Sequence, residues 1–379
     1  MLSKSIAVLV VAFVIAWAVT KVLIPLLKKR GVLDVPNARS SHVVPTPRGG
    51  GIGIIAGLIA GLVTASLLGM QLPGSELLVG AALVALIGFA DDHSGGLSIR
   101  LRLALQLAAA GVVVFHAGGI ARVPLPEPLN VPLGPLAIPL ALIWIVAVTN
   151  LYNFLDGMDG FAGLQGAVAG LGVAFLGQDN LFFTIGFAVT GACAGFLLHN
   201  WHPAKVFMGD TGSGTLGFLL AALPFQLQMS GRGGAVFVVA MCLWFFLADG
   251  VFTILSRLFR GEKIWEPHRS HLYQRLVKAG LPHDRAAVRI IGAATVLAAL
   301  AIISFRMGKA TAQWSVLATS MGGFFAYYCW TWKRERVLNR QLVDASVGSA
   351  QLSASENGPR IGGAIARLAD RRFRIQESE

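Results

Sequence analysis

The stretch LSKSIAVLVVAFVIAWAVTKVLIPLLKKR, residues 2–30, decides the fold class. From Leu2 to Leu27 it is apolar and long enough to cross a bilayer, which takes ~20 residues, and it ends in Lys28-Lys29-Arg30. Ala16-Trp17-Ala18 imitates a signal-peptide cleavage site behind the weakly basic start at Lys4, but the apolar run continues past it. The segment therefore reads as a retained first span rather than a cleaved leader.

The pattern repeats outward from there. Of 379 residues, 55% are hydrophobic and 13% charged, and the mean hydropathy is +0.68. That is more apolar surface than a soluble core of this size buries, so lipid must cover the excess. Further apolar stretches centre near Ile59, Val84, Ala110, Ile143, Val168, Ala188, Leu220, Trp244, Val296 and Phe324. Together with the first, near Phe13, they predict an all-α polytopic membrane protein with about eleven transmembrane helices. Glycine, at 45 residues, is spread through these stretches, as expected where helices pack closely in lipid.

Roughly five in six of the Lys and Arg residues follow the odd-numbered spans, which by the positive-inside rule makes those segments cytoplasmic. The opposite loops keep only Arg122, Arg232, Arg306 and Lys309. The N-terminus is then expected in the periplasm and the C-terminus in the cytoplasm. Residues 1–332 form the membrane domain, and residues 333–379 a basic cytoplasmic tail, disordered or lying on the membrane surface as a helix. In that tail Ile361, Ile365, Leu368 and Phe373 fall near helical spacing among Arg367, Arg371, Arg372 and Arg374. A net charge of +12 does not point to nucleic acid, because no soluble domain carries stacking or base-reading residues. Cys193, Cys242 and Cys329 lie inside apolar runs, an odd and widely spaced set with no disulfide or zinc-ligand arithmetic.

The scarce acidic residues collect at the cytoplasmic ends of the predicted spans, where carboxylates are costly without a partner. Asp91-Asp92 closes the third span and precedes Arg100 and Arg102. Asn150-Leu-Tyr-Asn153-Phe-Leu-Asp156-Gly-Met-Asp159-Gly160 places four oxygen-bearing side chains at spacings of three, so a helix ending there would line them along one stripe. Such a stripe suits a hard divalent cation such as Mg²⁺ or the polar edge of a nucleotide. Phe207-Met-Gly-Asp210-Thr-Gly-Ser213-Gly joins a carboxylate to glycines and hydroxyls at a helix start, a composition that cradles phosphate. Pro267-His268-Arg269-Ser270-His271 adds donors for phosphate oxygens; a positive-inside loop explains its Arg but not its two His. Asp249 lies inside the ninth span, where holding a helix contact is the favoured role.

At these residues the chain resembles the polyprenyl-phosphate N-acetylhexosamine-1-phosphate transferase superfamily, which includes the phospho-MurNAc-pentapeptide transferases and the enzymes that start O-antigen glycans. The match runs in order through Asp34-Val-Pro36, Arg39-Ser-Ser-His42, Pro47-Arg-Gly-Gly-Gly51, Asp91-Asp92, Asn150 to Gly160, Phe207 to Ser213, and His268 to Arg275. The resemblance implies transfer of a sugar-1-phosphate from a UDP-N-acetylated sugar to undecaprenyl phosphate, at the cytoplasmic face of a bacterial inner membrane. It implies that Asp210 and Asn153 ligate Mg²⁺, with Mn²⁺ able to substitute, and that Phe207 stacks the uracil. Asp156 and Asp159 would bind or orient the nucleotide, Asp91 and Asp92 serve the lipid phosphate, and His268 and Arg269 hold the diphosphate and sugar. Arg48, Asn150, Ser213 and His271 complete the expected substrate-binding set, and a homodimer is allowed.

The chain departs from its relatives at His93-Ser94-Gly95 after the acidic pair, and in having His-Arg-Ser-His rather than adjacent histidines. The second feature looks more like the O-antigen-initiating branch. Two rival readings are a transporter using intramembrane acids and a Mg²⁺-dependent intramembrane prenyltransferase. Transport predicts polar residues at mid-span and inverted halves, and the prenyltransferase needs two acid-rich loops without the Phe207 to Ser213 segment.

Overall fold

The computed structural model describes residues 2–36, 44–94, 96–176, 180–229, 235–263 and 268–356. Arg39 to His42, Gly95, Pro267 and the apolar positions from Ile361 to Phe373 lie outside them. The chain is an all-α multi-pass membrane protein, with one short antiparallel ribbon of β1 (Leu33–Asp34) and β2 (Thr46–Pro47). In chain order the helices begin with α1 (Leu2–Lys29), α2 (Gly51–Leu67), α3 (Ser75–Ser94), α4 (Ile99–Ala117) and α5 (Ala137–Phe154). Next come α6 (Phe161–Leu176), α7 (Asn180–Asn200), α8 (Gly209–Met229), α9 (Ala235–Cys242) and α10 (Trp244–Phe259). The last are α11 (Leu272–Lys278), α12 (His283–Met307) and α13 (Ala310–Glu356).

Each expected span centre falls in a helix, yet the count of eleven spans does not follow. Among the described residues five helical segments are long and apolar enough to cross a membrane, or six if a bent pair is one span. These are α1, α4, α5 with its preceding 3-10 turn, α7 and α12. By contrast α2 and α6, at 17 and 16 residues, fall short of the ~20 a bilayer needs. The predicted ninth span, centred on Trp244, is a correction: α9 and α10 meet there at a bend of 79°. The break frees the Cys242 carbonyl, and the buried Gln165 amide on α6 donates to it at 2.9 Å. Away from water such a freed backbone group needs a substitute partner.

Val10, Val14, Val63, Leu86 and Ile143 face outward, as lipid-facing side chains should. Inside, small residues let helices approach. A Cβ on Gly191 or Gly195 of α7 would overlap the Leu9 and Phe13 carbonyl oxygens of α1. Cys193 and Cys242 are buried in this packing, whereas Cys329 is exposed on α13.

From α2 to α5 successive helices alternate in direction, and this places the site. The C-terminal ends of α3 and α5 and the N-terminal ends of α2, α4 and α8 lie at one end of the bundle, joined by the polar contacts described below. At the other end Glu76 at the start of α3 meets Gln226 near the end of α8 and His116 near the end of α4. Beyond Trp332, α13 continues without a break, and Glu335 takes a two-pronged ion pair from Arg275 of α11 at 2.7 and 2.5 Å.

The crossing of α3 and α8 has no slack. A Cβ at Gly88 would lie 2.5 Å from the Asp210 backbone carbon and oxygen. Gly88→Ala is expected to cost about 1–3 kcal/mol by overpacking and to push the start of α8 out of place. The checks are a lower melting midpoint in detergent and a parallel loss of catalytic activity.

Candidate active site

Two chain segments zip together to begin the site. The Phe207 N–H donates to the Pro47 carbonyl at 2.8 Å, and the Gly50 and Gly51 N–H groups donate to the Phe207 and Met208 carbonyls at 2.9 and 2.8 Å. Arg48 is thereby bridged to Phe207 and delivered to the first turn of α8. This pairing gives the half-buried Phe207 a backbone role that its aromatic side chain did not predict.

At that first turn three carboxylates and two guanidiniums meet, with a fourth carboxylate in their field. Asp92, whose side chain is wholly buried, accepts from the Asp210 N–H at 2.9 Å, the Thr211 N–H at 3.0 Å and the Thr211 hydroxyl at 2.7 Å. It also pairs with Arg48 Nε at 2.9 Å. Asp92 is thus a cap supplied to α8 by α3, using the usual attraction of a carboxylate for a helix N-terminus. Asp210 is held by Arg48 Nη2 at 2.5 Å and Arg102 Nη1 at 3.3 Å. Asp91 accepts from the Leu97 N–H at 2.6 Å and stands 3.9 Å from Arg102. Burial alone would weaken the charge on Arg48, but Asp210 and Asp92 outweigh it and hold its pKa above the ordinary value.

Asp156, just past the end of α5, is the fourth carboxylate. Loss of solvation and then the field of Asp210, reinforced by Asp92 and Asp159, push its carboxyl well above the ordinary range against the opposing pull of Arg48. Its proton is held more tightly than that of a solvated Asp.

Asp210, Asn150, Asn153, Arg102 and Gln106 line one narrow cleft, partly open to solvent. The Asn153 amide nitrogen donates to the Ser213 hydroxyl at 2.8 Å, and Ser213 passes its own proton to the Gly209 carbonyl at 3.0 Å. The Asn150 nitrogen donates to Gln106 Oε1 at 2.6 Å and to the Val146 carbonyl at 2.8 Å. Both amides therefore present their carbonyl oxygens as the atoms a ligand can use. A donor set of one carboxylate and neutral oxygens fits Mg²⁺, which takes few protein ligands and completes its shell with water and phosphate oxygens. Arg102 supplies a second fitting observation: its buried Nε–H has no acceptor among the described residues. A substrate phosphate would provide one.

The structure adds to three sequence expectations and alters the first. The stripe from Asn150 to Asp159 does not persist, because α5 ends at Phe154 and only Asn150 and Asn153 keep helical spacing. Asp159 turns elsewhere: it accepts from His202 Nδ1 at 2.7 Å and the Ala204 N–H at 3.1 Å, and stands 3.5 Å from His283 Nδ1. Burial raises its pKa, but the His283 and His202 hydrogen bonds outweigh that and hold it below the ordinary value. His271 is buried at the N-cap of α11, 3.3 Å from Asp249. Asp249 also accepts from the Leu272 and Tyr273 N–H groups at 2.9 and 3.2 Å, which gives it the helix-holding role favoured from the sequence. His271 thus meets Asp249 in the interior, at the start of α11. The segment does approach the site, since the Tyr273 hydroxyl donates to the Phe154 carbonyl at 3.3 Å, two residues before Asp156.

His268 lies beside His271, with ring centroids 5.0 Å apart and a 3.0 Å contact to the Ser270 hydroxyl. Burial, then His271 and Arg257, pull its pKa from 6.5 down to about 4. Of the pair His268 and Arg269, the arginine is the one that carries a fixed positive charge. An unfolded chain takes up the His268 proton near 6.5 and the folded chain only near 4, so folding loses stability as pH falls through that window. His268→Gln is expected to reduce the fall in melting midpoint between those two pH values relative to the parent.

Sequence reasoning missed Arg102 as a member of the site, together with Gln106 and Thr211, and it missed His202 and His283 beside Asp159. The helix-capping Ser98, whose hydroxyl accepts from the Leu101 N–H, was the available signal that Arg102 belongs to a first helical turn beside the acidic pair.

Comparison with known proteins places these residues in context. A family model described as glycosyl transferase family 4 matches residues 75–228. The chain is 34% identical over 305 residues to the "Probable undecaprenyl-phosphate N-acetylglucosaminyl 1-phosphate transferase" of Bacillus subtilis, covering 77% of this chain and 83% of the relative. It is 30% identical to the undecaprenyl-phosphate alpha-N-acetylglucosaminyl 1-phosphate transferase of Escherichia coli, over 83% of this chain and 88% of that protein. A phospho-N-acetylmuramoyl-pentapeptide-transferase of Synechococcus elongatus is 35% identical over 62% of this chain and 66% of its own.

Proposed function

The chain belongs to glycosyl transferase family 4, and from that premise we propose that it transfers an N-acetylhexosamine-1-phosphate from a UDP-sugar to undecaprenyl phosphate. The products are UMP and a polyprenyl diphosphate-sugar, the first lipid-linked intermediate of a cell-surface glycan such as an O-antigen. The observation that carries the reading is the convergence of Asp210, Asn153 and Arg102 on one cleft at one end of a membrane bundle. By the distribution of Lys and Arg, that end faces the cytoplasm of a bacterial inner membrane. Relatives acting on N-acetylglucosamine make UDP-N-acetylglucosamine the first donor to try. A transporter would need its polar residues at mid-span rather than at this end.

An oxygen of the lipid phosphate attacks the β-phosphorus of the donor, a new P–O bond forms, and the bond from that phosphorus to the bridging oxygen breaks to release UMP. The second pKa of a phosphate monoester lies near ~6, so the attacking group is already largely dianionic at neutral pH. Asp91 is therefore of less use as a proton acceptor than as a partner that orients Arg102. Arg48 and Arg102 reduce the repulsion between two anionic reactants, and the unpartnered Arg102 Nε–H takes a phosphate oxygen. Asp92 fixes the Asp210 backbone so that its carboxylate keeps one direction. Asp210 and Asn153 would hold Mg²⁺, which when bound neutralises charge on the diphosphate. Asp156 binds or orients the nucleotide, and Arg269 contacts the diphosphate and sugar.

The test uses purified protein in detergent with undecaprenyl phosphate, Mg²⁺ and a panel of UDP-N-acetylated sugars. UMP release with at least one donor, abolished by chelation, is expected. Absence of UMP with every donor would contradict the proposal.

A further inference from the structure

Asp159 points away from the cleft and into a second cluster of polar side chains. It lies in the loop between α5 and α6, and two histidines from other elements turn their Nδ1 atoms toward its carboxylate. His202 comes from the loop between α7 and α8, and His283 is the first residue of α12. The three ligand atoms, one from each residue, all lie within 4.8 Å of one another. Asp159 and His283 are buried, whereas the His202 side chain is 40% exposed, so the cluster is reached from outside on one side only.

We propose that Asp159, His202 and His283 form a binding site for a transition-metal cation of the Zn²⁺ class, separate from the Mg²⁺ cleft. Two imidazole nitrogens and one carboxylate oxygen are a zinc donor set and a poor one for Mg²⁺. Zinc bonds of ~2.0–2.1 Å in a tetrahedron separate the ligand atoms by roughly 3.3 Å. Asp159 Oδ1 and His283 Nδ1 are already 3.5 Å apart. His202 Nδ1 lies 2.7 Å from the other oxygen, Oδ2, and its exposed ring, on a loop, can turn toward a cation held at Oδ1.

His283 Nδ1 also faces the Asp159 N–H at 3.3 Å, and its one in-plane lone pair cannot serve that donor while its own proton serves Oδ1. A cation lets both Nδ1 and Oδ1 act as electron-pair donors, and the long amide contact gives way. The Ala204 N–H, bound to Oδ2 at 3.1 Å, steadies the carboxylate from behind. The fourth position is left to water on the His202 side. Metal there would tie the loop that carries Asp156 to α12 and to the segment leading into α8. The inference does not depend on the transfer reaction proposed above.

Co²⁺ reports on such a site through the intense visible absorption of tetrahedral coordination. The full-length chain, with its affinity tag removed and stripped by chelator, is titrated with Co²⁺ in detergent. One Co²⁺ per chain with that absorption is expected, displaced by Zn²⁺ but not by excess Mg²⁺. His202→Ala and His283→Gln should abolish it, and Asp210→Asn should leave it intact. Zn²⁺ should also raise the melting midpoint of the parent and not of His202→Ala, which alters an exposed side chain. No visible absorption in the parent, absorption that survives His202→Ala, its loss in Asp210→Asn, or equal Zn²⁺ stabilisation of parent and His202→Ala would each overturn the proposal.

Discussion

Asp210→Asn is expected to lower kcat by roughly 10²–10³-fold, the usual effect of removing one preorganised electrostatic group, while yield and melting midpoint in detergent stay close to the parent. Asparagine keeps the volume and an acceptor oxygen for one guanidinium. It loses the negative charge that faces Arg48 at 2.5 Å and Arg102 at 3.3 Å and that would face Mg²⁺ across the cleft. Both arginines retain a second carboxylate, Asp92 for Arg48 and Asp91 for Arg102, so neither is left as an isolated buried charge. The loss should therefore appear in kcat and in the Mg²⁺ concentration needed for half-maximal rate. Parent-like kinetics would remove Asp210 from the metal site.

Asp92→Asn should behave differently, losing stability as well as rate. Its carboxylate accepts from four donors: the Asp210 and Thr211 amides, the Thr211 hydroxyl and Arg48 Nε. An amide offers one oxygen, and its NH₂ would face groups that are themselves donors. Each buried donor left without a partner costs about 1–3 kcal/mol, so a clear drop in melting midpoint should accompany a kcat loss of about 10²-fold. The contrast decides the role of the acidic pair. A variant that loses rate at parental stability would show that Asp92 acts on the substrate rather than through α8.

The two variants also show what the sequence could and could not convey. Asp91, Asp92 and Asp210 stood out because carboxylates at the ends of apolar runs need a partner, and the structure supplies one to each. Their partners were not legible. Arg48 reaches Asp210 across 162 positions and Arg102 across 108, distances over which periodicity carries no information. The spacing of three from Asn150 to Asp159 was real, but it says nothing about where a helix stops. Once α5 ends at Phe154, Asp159 is free to face His202 and His283.

Nor can one sequence show that Asp249, 22 positions before His271, is buried against it. The break at Leu243 left no mark in hydropathy either, since both of its arms are apolar; its signature is the polar Gln165 on another helix.

The central claim is that this cleft moves a phosphorylated sugar rather than a sugar alone. Donor labelled with radiophosphorus in the β position, given with undecaprenyl phosphate and Mg²⁺, tests it directly. The account predicts that the label enters the organic phase with the lipid in step with the release of unlabelled UMP, and that Asp210→Asn slows both equally. Label recovered in the aqueous phase as UDP would contradict it.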